Sequence, residues 1–251
     1  MSIHVDMPTV LVGHRGFPQC YPENSLVGLK AALDEGAGAV EIDVQASADD
    51  EPMVCHDLSL YRVAKRRLSV SKLTAEELMQ VSVHEPARFK QKFEPCPLPH
   101  LRQVVELVAG YAHAVLFVEL KEEIFIRYPR RAFLDKVLSI LAPLEARFVI
   151  ISFDLECLRD VQQLAAAPVG WVLRKYNRAS HQLLQQQPVD IVICDHRKLP
   201  SAPTPLWPGS WLWFIYDITD PAAAQSWRQR GVTYIETWDV KALIQAERAT
   251  V

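Results

Sequence analysis

Seven side chains in this chain are of types that move protons, hold metal ions or bind phosphate, and they fall in short groups. His14-Arg15 follows the apolar run Thr9–Gly13 (TVLVG). Glu41 and Asp43 alternate with Val40, Ile42 and Val44. His56 precedes Asp57, and Glu119 and Lys121 close the run VLFVELK. Residues two apart on a strand point to the same side, so Glu41 shares a face with Asp43, and Glu119 with Lys121. A half-solvated strand would account for either pair alone. Turned into a protein interior, two carboxylates repel each other and lose hydration, and a bound cation relieves both. Oxygen ligands of this kind suit Mg²⁺ or Ca²⁺, and Glu119 offers a third. His14 and His56 can transfer protons near neutral pH, while Arg15 and Lys121 can bind an anion. One hard cation, two imidazoles and two fixed positive charges fit phosphodiester cleavage. One His would take a proton from the nucleophile and the other would protonate the leaving oxygen.

Such groups need a scaffold that collects the ends of separate strands. Eight short runs rich in Val, Ile and aromatics read as strands: Thr9–Gly13, Ala39–Val44, Val115–Leu120, Phe148–Ser152, Val169–Leu173, Asp190–Cys194, Trp211–Tyr216 and Thr233–Glu236. Most are apolar throughout, as strands buried on both faces are. Helical patterns lie between them. Asn24 or Ser25 can cap one that ends at Gly36, Asp154 can cap Leu155–Ala166, and Asp220-Pro221 opens one closed by Gly231. Alternation of this kind over 251 residues predicts a (β/α)8 TIM barrel, whose functional groups gather at the C-terminal ends of the strands. A doubly wound open sheet is the alternative, weakened by the lack of a Gly-rich phosphate loop at the first helix. One segment departs from the alternation. Only eight residues separate Val44 from Met53, fewer than the dozen or so of a parallel crossover. An extra β-hairpin after the second strand is therefore expected, turning through Ser47–Glu51 and setting Asp43 roughly opposite His56. The chain reads as a single domain over 1–251, with a polar insertion at about 60–98 that carries a Thr74-x-x-Glu77 capping box.

Bulk properties narrow the partners. A formal net charge of −3 gives no reason to expect nucleic acid or an anionic membrane. No basic leader precedes an apolar run at the N-terminus, and no stretch is long enough to span a bilayer. Five scattered cysteines without metal-site spacing indicate free thiols in a reducing compartment, and a cytoplasmic location is expected. A small-molecule substrate follows, without stable membrane association.

Taken in order, His14-Arg15-Gly16, Pro22-Glu23-Asn24-Ser25, Glu41-x-Asp43, His56-Asp57 with Leu60 and Arg62, Pro97-Leu98-Pro99-His100-Leu101, Glu119-x-Lys121 and Ser152-Phe153 resemble the glycerophosphodiester phosphodiesterases. The resemblance implies a TIM barrel with a small insertion and one divalent cation on Glu41, Asp43 and Glu119. It implies His14 and His56 as the acid/base pair, with Arg15 and Lys121 near the phosphate. It also implies release of glycerol 3-phosphate and an alcohol, by attack of the glycerol 2-hydroxyl followed by opening of a cyclic phosphate. A lysophospholipase D-type activity at the same site, or a catalytically dead barrel that only binds, are the alternatives. The first would call for an apolar rim, which the polar insertion does not supply. The second would call for loss of a catalytic His or a metal carboxylate, and all are present. The chain departs from the family pattern mildly at Ser25, where the family commonly has Thr, and at Asp49-Asp50, where it usually has Asp-Gly, and more widely near the C-terminus. The run Tyr216-Asp217-Ile218-Thr219 stands where the family often has Trp-Thr-Val-Asn, and Glu236-Thr237-Trp238 where it has Ile-Thr-Asp.

Other groups carry no motif. Cys55 alternates with His56 and is expected to point away from it. Trp211 and Trp213 are expected to pack the barrel, with Tyr216 facing the substrate. Asp195-His196-Arg197 reads as a loop, Lys65-Arg66-Arg67 as solvated, and His4, His84, His100, His113 and His181 have no assigned role.

Overall fold

The computed structural model describes residues 9–249. His4 and most of the N-terminal stretch read for a leader lie outside the described residues. Among the described residues nine strands form: β1 Val10–Gly13, β2 Ala39–Ala46, β3 Pro52–Val54, β4 Val115–Leu120, β5 Phe148–Ser152, β6 Val169–Val172, β7 Ile191–Asp195, β8 Leu212–Tyr216 and β9 Tyr234–Thr237. Eight are parallel and follow one another around the sheet as β1-β9-β8-β7-β6-β5-β4-β2, with β2 closing on β1. This is the expected TIM barrel.

Alternation within each strand separates two apolar layers. Val40, Ile42 and Val44 face the surrounding helices. Val12, Ala39, Phe117, Ile151, Ile193 and Phe214 fill the lumen, where the Phe117 ring meets Phe214 and Tyr234 edge-on at 5.0 and 5.1 Å. This apolar plug is the floor beneath the polar mouth.

The hairpin forms because β1 is short. The first half of β2 pairs with β1 (Val12↔Ala39, Gly13↔Val40). Its second half runs past the end of β1 and offers the same edge to antiparallel β3, with Val44↔Val54, Gln45↔Met53 and Ala46↔Pro52. The chain after β3 thus returns to the mouth above β1. Ser47 Oγ accepts from Glu51 N at 2.8 Å, and Asp50 adopts the left-handed turn conformation (φ 62°). The five-residue turn sets the register one residue from the expected one, so Asp43 lies opposite Cys55, whose N–H donates to Asp43 O at 3.0 Å. His56 comes just after the strand, free of its pleat.

Two further differences have physical causes. The insertion is not simply polar: Leu60, Val63, Val70, Leu78, Val81 and Leu98 form a small core of their own with Met53 and Cys55. Its helices are one turn or so long, at Tyr61–Ala64, Ala75–Met79 and Pro86–Phe89, too short to display an apolar stripe in the sequence. Between β7 and β8 the chain makes no α-helix, only a 3-10 turn at His196–Lys198. Pro200, Pro203, Pro205 and Pro208 follow, and proline removes donors and blocks helical continuation. Indole rings fill the gap: Trp207 stacks on Tyr176 at 3.7 Å and on His181 at 4.7 Å. Trp211 and Trp213 are buried in the outer layer, as barrel packing requires.

Candidate active site

His14 and Arg15 leave the end of β1 in a turn pressed against the helix Leu26–Glu35. Gly16 permits this, because its φ of 92° suits glycine and an added Cβ would sit 2.7 Å from the Gly28 carbonyl carbon. Arg15 is itself left-handed (φ 53°), and its backbone N–H donates to Glu41 Oε2 at 3.1 Å. Glu41 and Asp43 point from β2 into the lumen, not toward the helices. Glu119 projects from β4 at the level of Asp43, its register partner, and Lys121 follows at the end of that strand. His56 arrives from the hairpin. His14, Arg15, Glu41, His56, Glu119 and Lys121 all line one open cavity of about 210 Å³, together with Phe153, Tyr216, Asp217 and Glu236. Asp43 lies just beneath it, 1% exposed.

Asp43 is the electrostatic hub. Arg15 Nε lies 2.9 Å from its Oδ2 and Lys121 Nζ 2.6 Å from its Oδ1. Lys121 Nζ also lies 2.6 Å from Glu119 Oε1, and Arg15 Nη1 3.1 Å from Glu23 Oε1. Both cations assigned to substrate from the sequence are thus anchored on carboxylates beside the cavity. Burial raises the Asp43 carboxyl pKa, but Lys121 and Arg15 outweigh it and hold the group far below the ordinary range. Glu41 lacks such partners; burial, then Asp43 and Glu119, drive its pKa well up. Burial also raises Glu119, against the pull of Lys121.

The residues fit a cation. One oxygen from each of Glu41, Asp43 and Glu119 falls within 4.8 Å of the others. Asp43 Oδ1 is buried without a hydrogen bond, since Lys121 approaches it off the bonding direction. Glu41 is a crowded carboxylate that positive charge would relieve.

Around these lie residues that sequence reasoning did not single out. Asn24, a possible helix cap, instead clamps Asp43, donating from Nδ2 to Oδ2 at 2.8 Å and accepting from its backbone N–H at 3.2 Å; Ser25 takes the cap. Arg62, from the insertion, donates to Glu23 Oε1 at 2.8 Å and to Asp57 Oδ2 at 2.7 Å, and Asp57 Oδ1 lies 2.6 Å from His56 Nδ1. Asp195 caps the turn after β7, and its neighbour Arg197 reaches to 3.7 Å from Asp217. Asp217 and Glu236 close in on His14 Nδ1 at 3.2 and 3.9 Å. The signal for Glu23, Asn24, Asp57 and Arg62 lay in the ordered motifs. Asp217 and Glu236 sit at departures from the pattern and gave none.

The model of the glycerophosphoryl diester phosphodiesterase family matches residues 14–201. The chain belongs to that family. Its relatives include the glycerophosphodiester phosphodiesterases of Caldanaerobacter subterraneus, 31% identical over 161 residues, and of Bacillus altitudinis, 35% identical over 121 residues. The first alignment covers 63% of this chain and 64% of the relative, the second 48% of each. The chain therefore matches just under two thirds of one relative and about half of the other. The barrel also superposes on an Oleispira antarctica phosphodiesterase, solved with the product sn-glycerol-3-phosphate, with a TM-score of 0.82 at 19% identity, covering 96% of this chain and 97% of that one. The glycerophosphodiester phosphodiesterase of Thermotoga maritima gives 0.72 at 20% identity, over 96% and 99%. At these identities the superpositions establish a shared fold.

Proposed function

We propose that this family member hydrolyses glycerophosphodiesters to glycerol 3-phosphate and an alcohol, with a divalent cation, Mg²⁺ or Ca²⁺, held by Glu41, Asp43 and Glu119. The observation that carries the reading is the convergence of that carboxylate triad and both imidazoles on one cavity. When bound, the cation acts as a Lewis acid that stabilises charge developing on the phosphate oxygens. Arg15 and Lys121 hold further positive charge at the rim, fixed in place by Asp43, Glu23 and Glu119. One imidazole takes the proton of the attacking oxygen as the new P–O bond forms. The other gives a proton to the alcohol oxygen as the old P–O bond breaks. Asp57 orients His56 from its Nδ1 side.

A small diester suits the mouth better than a lysolipid. Among the described residues the exposed large apolar side chains, Val27, Tyr61, Ile126 and Leu183, sit on four different elements and make no apolar rim. The insertion turns its apolar residues into its own core. No described helix is long and apolar enough to cross a membrane. A one-domain organisation with the 60–98 insertion, a reducing cytoplasmic setting and no nucleic-acid partner complete the reading, supported by five free cysteines and the net charge of −3.

The test is activity on glycerophosphocholine, glycerophosphoethanolamine and lysophosphatidylcholine with Mg²⁺ or Ca²⁺ supplied. Glycerol 3-phosphate should appear from the first two, with chelation abolishing it and His14→Ala or Glu41→Ala lowering kcat/KM by about 100-fold or more. Full activity in chelator overturns the metal role, and turnover of the lysolipid alone overturns the substrate class.

A further inference from the structure

We infer that Asp217 is a positioning residue for His14: its carboxylate is the nearest acceptor to the imidazole Nδ1, takes the Nδ1–H on a small turn of the ring, and so presents Nε2, unprotonated, to the cavity. The inference rests on the reading of His14 as a proton-transfer group and assigns the side of the ring that does the work.

The geometry selects Asp217 from the carboxylates around the ring. His14 Nδ1 is buried without a hydrogen bond in this ring orientation, and the acceptor nearest to it is Asp217 Oδ1 at 3.2 Å, against 3.9 Å for Glu236 Oε2, while Glu41 Oε2 lies on the other side, 4.0 Å from Nε2. Asp217 is itself held. Trp238 Nε1 donates to Oδ1 at 2.7 Å, and the Trp238 ring meets the His14 ring edge-on at 5.4 Å. Arg197 lies 3.7 Å from Oδ2. The Asp217 backbone is left-handed (φ 66°), which Asp tolerates better than most residues, and the next N–H, of Ile218, donates to Glu236 O at 3.0 Å. His14, Asp217 and Trp238 thus form a fixed cluster at the wall of the cavity. A neutral imidazole has one N–H, and the acceptor it meets decides which nitrogen bears it.

Charge points the same way. The His14 imidazole beside it lowers the Asp217 carboxyl to about 2, with Trp238 and Arg197 adding to it, so Asp217 is an acceptor at neutral pH. Glu236 is held in the opposite state: burial, then Glu41 and Asp217, push it well up, and no hydrogen bond reaches its carboxylate among the described residues. The family often has Thr where this chain has Asp217.

The test reads the tautomer directly. Metal-loaded protein labelled with ¹⁵N-histidine is compared by NMR with Asp217→Asn, and the His14 signals are identified by their loss in His14→Gln. The wild type should show the Nδ1–H form. Asp217→Asn, which can donate to Nδ1, should shift His14 toward Nε2–H and lower kcat about 100-fold or more, with KM within about threefold. Should that variant not fold, Trp238→Phe frees Asp217 without removing its charge and should broaden or mix the two forms. An Nε2–H tautomer in the wild type, or an unchanged tautomer in Asp217→Asn, overturns the inference. A wild type inactive on every glycerophosphodiester overturns the proposed function instead, and leaves the tautomer result standing by itself.

Discussion

Replacing Asp43 by Asn removes one negative charge at the point where two buried cations meet. The carboxylate is 1% exposed, and its partners Lys121 and Arg15 are 11% and 13% exposed at their side chains, so solvent screens the pairs little. Breaking a buried ion pair by losing one partner costs about 3–5 kcal/mol. Here each cation keeps a second carboxylate, Glu119 for Lys121 and Glu23 for Arg15, and the introduced amide can retain the contact with Asn24. The expected loss is therefore at the lower end, about 3 kcal/mol, which for a chain of this size is roughly 6–12 °C in Tm. The same variant should lose the metal response. At a Mg²⁺ or Ca²⁺ concentration about 100 times Kd, a folded-state site contributes about 2.7 kcal/mol, or roughly 5–10 °C, to the wild type and close to nothing to Asp43→Asn. Adding Lys121→Met to Asp43→Asn should cost further stability, because it leaves the Glu119 carboxylate without its cation. Thermal denaturation of the wild type, both single variants and the double variant, with chelator and with metal, measures all of this. A metal-free Asp43→Asn as stable as the wild type would refute the electrostatic reasoning. An undiminished metal shift in that variant would remove Asp43 from the cation site.

The raised Glu236 carboxyl makes a pH-dependent prediction of definite sign. Its ionisation has no cost below the unfolded carboxyl pKa of about 4.3 and destabilises the fold increasingly as pH rises above it. Glu236→Gln should match the wild type in Tm near pH 4 and exceed it near pH 8, and a difference that does not change with pH would contradict the assignment. For the thiols, Cys20 alone is exposed, while Cys55, Cys96, Cys157 and Cys194 are buried and burial raises the pKa of each. A colorimetric thiol reagent at neutral pH should modify one cysteine per native chain and five in denaturant; rapid modification of two or more native thiols would show that the barrel and insertion cores open readily.

Much of the site could be read from the chain because strand geometry is local. Glu41 and Asp43 share a face, as do Glu119 and Lys121, because successive side chains alternate. The gap between Val44 and Met53 dictates a hairpin because a short connection cannot cross over. Register was less accessible. It depended on Ser47 and Asp50 closing a five-residue turn, and a shift of one residue moved His56 off the strand. The missing helix after β7 had its cause in plain view, in four closely spaced prolines, but the eight-unit period concealed it.

By itself, then, the sequence determined the eight barrel strands, the hairpin and the seven groups at the mouth, since each follows from spacing along a few residues. The tertiary structure alone decided how those groups pair. Asn24 clamps Asp43, and Arg62 reaches from the insertion to Glu23 and Asp57. Lys121 leans onto two carboxylates, and Asp217 and Glu236 meet His14 only because β1 closes against β9, with Val12 beside Glu236. Barrel closure joins the two ends of the described chain, and no local pattern encodes a contact made across that seam.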